Sequence, residues 1–216
     1  APTGTKDRFA QRRAALGMCQ NLIACKLNFD LEWGLTQAAQ ALVLNVKNDH
    51  ITACLAFIQD RLRGILLEGG FNYDVVEAVM AEKGSDPHGT FQAVQALSVW
   101  VEREDWHEIL PAFSRCVRIT RDQEKIYSVN ETLFVMPSEQ ALFQALLKAE
   151  EDLAGRNEVD AFLKAFVPMV PVINQFFDEV LVMDEDLALR ENRLGLLQRI
   201  SALSEGIADL SLLEGF

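Results

Sequence analysis

The chain has 216 residues, half of them apolar and 24% charged, which is enough for one large or two small helical domains with a real core. No apolar run approaches the roughly 20 residues that a membrane-spanning helix needs, so a membrane partner is not expected. The formal net charge of −12 opposes non-specific nucleic-acid binding, because phosphate contacts normally supply most of that affinity.

Gly and Pro are sparse and Ala, Leu, Glu, Gln and Arg are common, so the composition points to an all-α fold. From Lys6 to Lys26, Phe9, Ala14, Leu16, Met18, Leu22 and Ile23 recur at a loose helical period. Asp30 stands where an N-cap belongs, ahead of Leu31, Trp33, Leu35, Ala38 and Leu42. Asp49 is expected to cap a long helix that continues through Ile51, Leu55, Ile58, Leu62 and Leu66 and ends at Gly69 and Gly70. A short helix is predicted over Tyr73 to Lys83. Another starts at Ser85-Asp86-Pro87, where proline in the first turn loses no hydrogen bond. Trp106 to Ile119 form the next.

The helical period is lost between Arg121 and Pro137, which reads as a connection with room for a short extended piece. Helix resumes at Ser138 and breaks at Gly155. Between Val159 and Phe177, Pro168 and Pro171 predict a kink or a new start. Asp184, Glu185 and Asp186 cap a last helix running towards Leu210, and their charge suits the positive end of its dipole. Eight to ten helices are expected.

Catalytic motifs are scarce. His50, His88 and His107 are far apart, without Cys or carboxylate at metal-ligand spacing, and read as surface or cap residues. Cys19, Cys25, Cys54 and Cys116 lie in apolar helical patterns and read as buried free thiols of a cytoplasmic protein. The stretch PTGTKD lacks the second glycine of a phosphate-binding loop. Basic residues are instead clustered. Arg115 and Arg118 share a helix face at i, i+3, and Arg121 and Lys125 follow. Guanidinium groups grouped in this way clamp phosphates and stack on splayed bases, which makes these four the candidate RNA-binding residues. Arg190 and Arg193 form a similar pair, with Asp186 placed for an ion pair to Arg190.

Two blocks carry a resemblance. The segment FFDEVLVMDEDLALRENRLGLLQRISALSEGIADLSLL, Phe176 to Leu213, is similar to the end of the bacterial glycyl-tRNA synthetase beta chain. Within it, Asp186, Ala188, Leu189 and Arg190 resemble the Asp-Ala-Leu-Arg signature of an anticodon-binding domain shared with arginyl-tRNA synthetase. PTGTKDRFAQRRAALG, Pro2 to Gly17, resembles another block of the same beta chain and favours glycyl over arginyl. Asp60 to Ala81 and Pro111 to Ile119 fit as well.

The resemblance implies a helical bundle of the DALR anticodon-binding type over 49–216. It also implies that 1–48 is a helical connection from a preceding domain; the start APTGTKDRFAQRR, with neither an initiator Met nor an apolar signal core, itself reads as the start of a piece of a longer polypeptide. The resemblance further implies glycine tRNA and the synthetase alpha subunit as partners, in an alpha2beta2 holoenzyme. ATP and Mg²⁺ would act elsewhere, leaving this chain with no cofactor, metal or catalytic residue of its own and no role with DNA. Asp186 and Arg190 are expected to be structural. The competing reading is an acidic all-α scaffold for protein interactions. Arginines scattered among carboxylates would favour the scaffold, and a concentrated basic patch the RNA-binding reading.

Overall fold

A computed structural model describes residues 10–44 and 46–216, and among these the chain is all-α, with no strand. Packing divides it into two compact units, 1–98 and 99–216, and the 48/49 boundary expected from sequence lies inside the first.

In the first unit, α3 (Asn48–Glu68) is the spine on which α1 (Gln11–Ala24), α2 (Leu31–Ala41) and α4 (Tyr73–Lys83) pack. Its buried stripe is Ile58, Leu62 and Leu66, spaced four apart so that they stack on one face. Asp30 caps α2 as expected: its carboxylate accepts from the N–H groups of Glu32 (2.9 Å) and Trp33 (3.1 Å). Asp49 does not cap α3. The helix begins one residue earlier, and it is the His50 imidazole that accepts from the Lys47 N–H at 3.3 Å, leaving Asp49 as an acid in the first turn. Asp86 caps α5 (Pro87–Val101) by accepting from the Gly89 N–H, and the same oxygen accepts from the Phe29 N–H, tying the approach to α2 to the start of α5.

The second unit is built from α6 (Trp106–Thr120), α7 (Pro137–Leu153), α8 (Val159–Phe166), α9 (Val170–Glu179) and α10 (Leu187–Ala202). Its core holds Phe113 of α6 edge-to-face with Phe162 and Phe166 of α8, at centroid distances of 5.8 and 5.4 Å. Such pairs add about 0.5–1.5 kcal/mol beyond the area they bury. The prolines act as predicted: a 3-10 turn at Val167–Met169 separates α8 from α9. Between α6 and α7 there is a 3-10 turn at Glu131–Leu133 and otherwise irregular chain. The last helix stops at Ala202, short of the expected Leu210, and a 3-10 turn follows at Leu210–Leu212.

Among the described residues no helix is long and apolar enough to cross a membrane.

Candidate nucleic-acid interface

Alpha-helix 6 is strongly two-faced. Ile109, Leu110, Ala112, Phe113 and Cys116 are buried, while Arg115 and Arg118 emerge on the exposed side. Neither arginine meets a carboxylate side chain among the described residues. The Arg115 guanidinium lies 4.2 Å from the centroid of the Phe177 ring and donates to Asn174 Oδ1 at 3.2 Å, both on α9. Arg118 lies over the Phe216 ring, 5.6 Å from its centroid, and donates to the Phe216 carbonyl. Each positive group is therefore oriented by an aromatic ring and an oxygen acceptor, a neutral side-chain amide in the case of Arg115. A guanidinium that rests over a ring still has N–H groups to offer a phosphate or a base edge.

The other two candidates stand differently. Arg121 ends α6 and reaches Asp122 at 3.9 Å, an exposed pair of little energetic weight. Lys125 is exposed, and its carbonyl is held by Gln198 of α10, 2.7 Å away. The fold thus places Arg115 and Arg118 on one helical face and carries Lys125 towards α10.

Elsewhere several basic residues meet carboxylates. Arg63 pairs with Glu77, Arg103 with Asp105, Arg199 with Glu150, Lys148 with Asp152 and Lys164 with Asp160. Arg193 is fully enclosed. Its Nε donates to Glu139 Oε1 (2.8 Å) and its Nη1 to Asp184 Oδ2 (2.7 Å) and the Leu181 carbonyl (3.1 Å).

The pairing of Asp186 with Arg190 expected from sequence is not made among the described residues. Asp186 directs Oδ1 of its carboxylate to the N–H groups of Ala188 and Leu189 as a helix cap. The importance of Arg193 was hidden by its spacing, which matches a solvent-facing pair. The available signal was the run Leu194, Leu196 and Leu197 beside it, which marks a helix buried on several sides.

Two further expectations are corrected. Cys19 and Cys116 are buried, but Cys25 and Cys54 are exposed, because they fall on the outer sides of α1's end and α3. His50 and His107 are exposed, as expected. His88 is instead buried, only 7% exposed, and its Nδ1 has no partner among the described residues. No group of three or more His, Cys, Asp or Glu among the described residues could hold a metal ion. The PTGTKD stretch lies outside the described residues.

Comparison with known proteins points in one direction. Residues 1–81 match the family model described as glycyl-tRNA synthetase beta subunit. The chain is 34% identical to the glycine–tRNA ligase beta subunit of Desulforudis audaxviator, an alignment covering 97% of the chain and 31% of that protein. It is 36% identical to the beta subunit of Anaeromyxobacter dehalogenans, over 96% of the chain and 31% of the relative. A chloroplastic/mitochondrial glycine–tRNA ligase of Arabidopsis thaliana is 30% identical over all of the chain and 20% of its own length. The chain thus spans 31% of the length of these two bacterial relatives.

Proposed function

We propose that this chain is the tRNA-binding region of a glycine–tRNA ligase beta subunit, and that the exposed face of α6 meets the anticodon arm of glycine tRNA. The observation that carries the reading is the contrast in charge pairing: Arg115 and Arg118 are held by rings and meet no carboxylate side chain among the described residues, while five other basic side chains sit on carboxylates. Arg121 and Lys125 extend the same basic segment. The similarity of almost the whole chain to beta subunits supplies the substrate.

In this reading, 49–216 is an anticodon-binding bundle of the DALR type, and 1–48 connects it to a preceding domain. The chain works in the cytoplasm with an alpha subunit in an alpha2beta2 enzyme. Glycine activation with ATP and Mg²⁺ takes place outside these residues, and the chain itself carries no cofactor. The acidic remainder of the surface steers the polyanion away from everything but the α6 face.

Titrating the chain with glycine tRNA and an anticodon-swapped copy, at low and moderate salt, tests this. The expected result is tighter binding of the glycine anticodon, weakened by Arg115→Ala and Arg118→Ala. Equal binding of both tRNAs would reduce the site to a backbone platform. No binding at low salt would overturn the reading in favour of an acidic protein-interaction scaffold, which the abundance of paired arginines otherwise suits.

A further inference from the structure

After α6 the chain turns back along α10 and is stitched to it at regular intervals. Thr120 Oγ1 lies 3.3 Å from Ser201 Oγ. Gln198 donates to the Lys125 carbonyl (2.7 Å) and accepts from the Tyr127 N–H (3.0 Å). At Gly195 a Cβ would come within 2.7 Å of the Tyr127 carbonyl oxygen, so only glycine allows this approach. Asn192 accepts from the Asn130 N–H at 2.6 Å. Positions 192, 195, 198 and 201 recur every three residues and so follow one oblique ridge of the helix, along which the chain runs. Except at Thr120, each contact grips the loop by its main chain, so the loop's shape is set without using its outward side chains.

Ile126 lies between two of these grips and is 93% exposed. It buries almost nothing, yet its backbone neighbours are fixed on both sides. Arg121 and Lys125 precede it and Arg115 and Arg118 lie on the helix before them; the acids Asp122 and Glu124 stand in the same stretch, leaving it net positive. A rigidly presented apolar side chain among cations matches an unpaired nucleotide, whose base offers an apolar face and whose phosphate is anionic.

We infer that Ile126 packs against an unpaired base of the bound RNA, and that Gln198, Gly195 and Asn192 are positioning residues that hold it in place. The inference rests on the proposed tRNA-binding role and adds the residue that touches a base. Because Ile126 supports no packing, a loss of binding on its substitution cannot come through the fold.

The test is a fluorescence titration of the chain with glycine tRNA over a series of salt concentrations. Ile126→Ala is expected to weaken binding about tenfold, with an unchanged slope of log affinity against log salt, since the side chain meets no phosphate. Arg115→Ala and Arg118→Ala should each flatten that slope by about one. Ile126→Phe should restore binding through its larger face. Gln198→Ala should weaken binding and remove most of the further effect of Ile126→Ala in the double variant, whereas additive losses would overturn the positioning role. Native affinity in Ile126→Ala, with weakened arginine variants, would overturn the inference and leave the α6 reading standing. Absence of binding by the unaltered chain would overturn both.

Discussion

Arg193 on α10 and Glu139 on α7, 54 residues apart in sequence, meet at 2.8 Å with side chains only 5% and 1% exposed. Glu139 turns its other oxygen to the N–H groups of Val135 and Met136, at 2.8 and 2.7 Å, while Arg193 also holds Asp184 and the Leu181 carbonyl. One ion pair thereby joins the end of the 121–137 connection, the start of α7 and the approach to α10. Both charges are withdrawn from water, and the surrounding hydrogen bonds make that tolerable.

Removing one member strands the other. Arg193→Met should destabilise the second unit by about 3–5 kcal/mol, the usual cost of leaving a buried charge unpaired. Adding Glu139→Gln should recover part of that loss. Urea denaturation of the two single variants and the double variant checks this, and simple additivity would contradict it.

Asp184 should contribute to acid sensitivity. The Asp186 N–H and then the Arg193 guanidinium hold its carboxyl below the ordinary carboxylate range. The unfolded chain therefore binds this proton more readily than the folded one. The associated stability is complete above the unfolded value of about 3.9 and is lost as pH falls through the lower folded value. Denaturation midpoints at pH 5 and pH 3 should differ less in Asp184→Asn than in the native chain.

The thiols should separate into two classes. Burial pushes Cys19 up to about 11 and Cys116 up to about 12, which leaves almost no thiolate near neutrality. Cys25 and Cys54 are open to solvent. Iodoacetamide at pH 8, followed by peptide mass spectrometry, should modify Cys25 and Cys54 in the native protein, and Cys19 and Cys116 only after denaturation.

The end of α1 carries a removable strain. Lys26 adopts φ 55°, with its N–H bonded to the Ile23 carbonyl and the Leu27 N–H to that of Leu22, a turn usually made by glycine. Lys26→Gly should stabilise the first unit by about 0.5–1 kcal/mol, read as a later urea midpoint. An earlier midpoint would mean that the lysine side chain contributes more than its backbone costs.

Much of the helical framework was legible because its signals are local. Asp30, Asp86 and Asp186 stand one residue before their helices, Gly69 and Gly155 just after theirs, and Pro168 and Pro171 where α8 gives way to α9. The misread positions each depended on something distant or on a competing local partner. Asp49 lost the cap to His50, and Asp186 turns to its own helix's N–H groups instead of to Arg190. The basic residues of the candidate site could be named from spacing, but not which of them keep free charge, since Phe177 and Phe216 are far along the chain from Arg115 and Arg118.

By itself the sequence determined the all-α class, most helix starts and the basic cluster around α6, because periodicity, capping and turn chemistry act within a few residues. Tertiary structure alone decided that Arg193 is a buried strut, that Gly195 admits the Tyr127 carbonyl and that Ile126 is held out to solvent. Those outcomes depend on which helix faces meet, and a side chain's charge, burial and partners are set by neighbours that no local window contains.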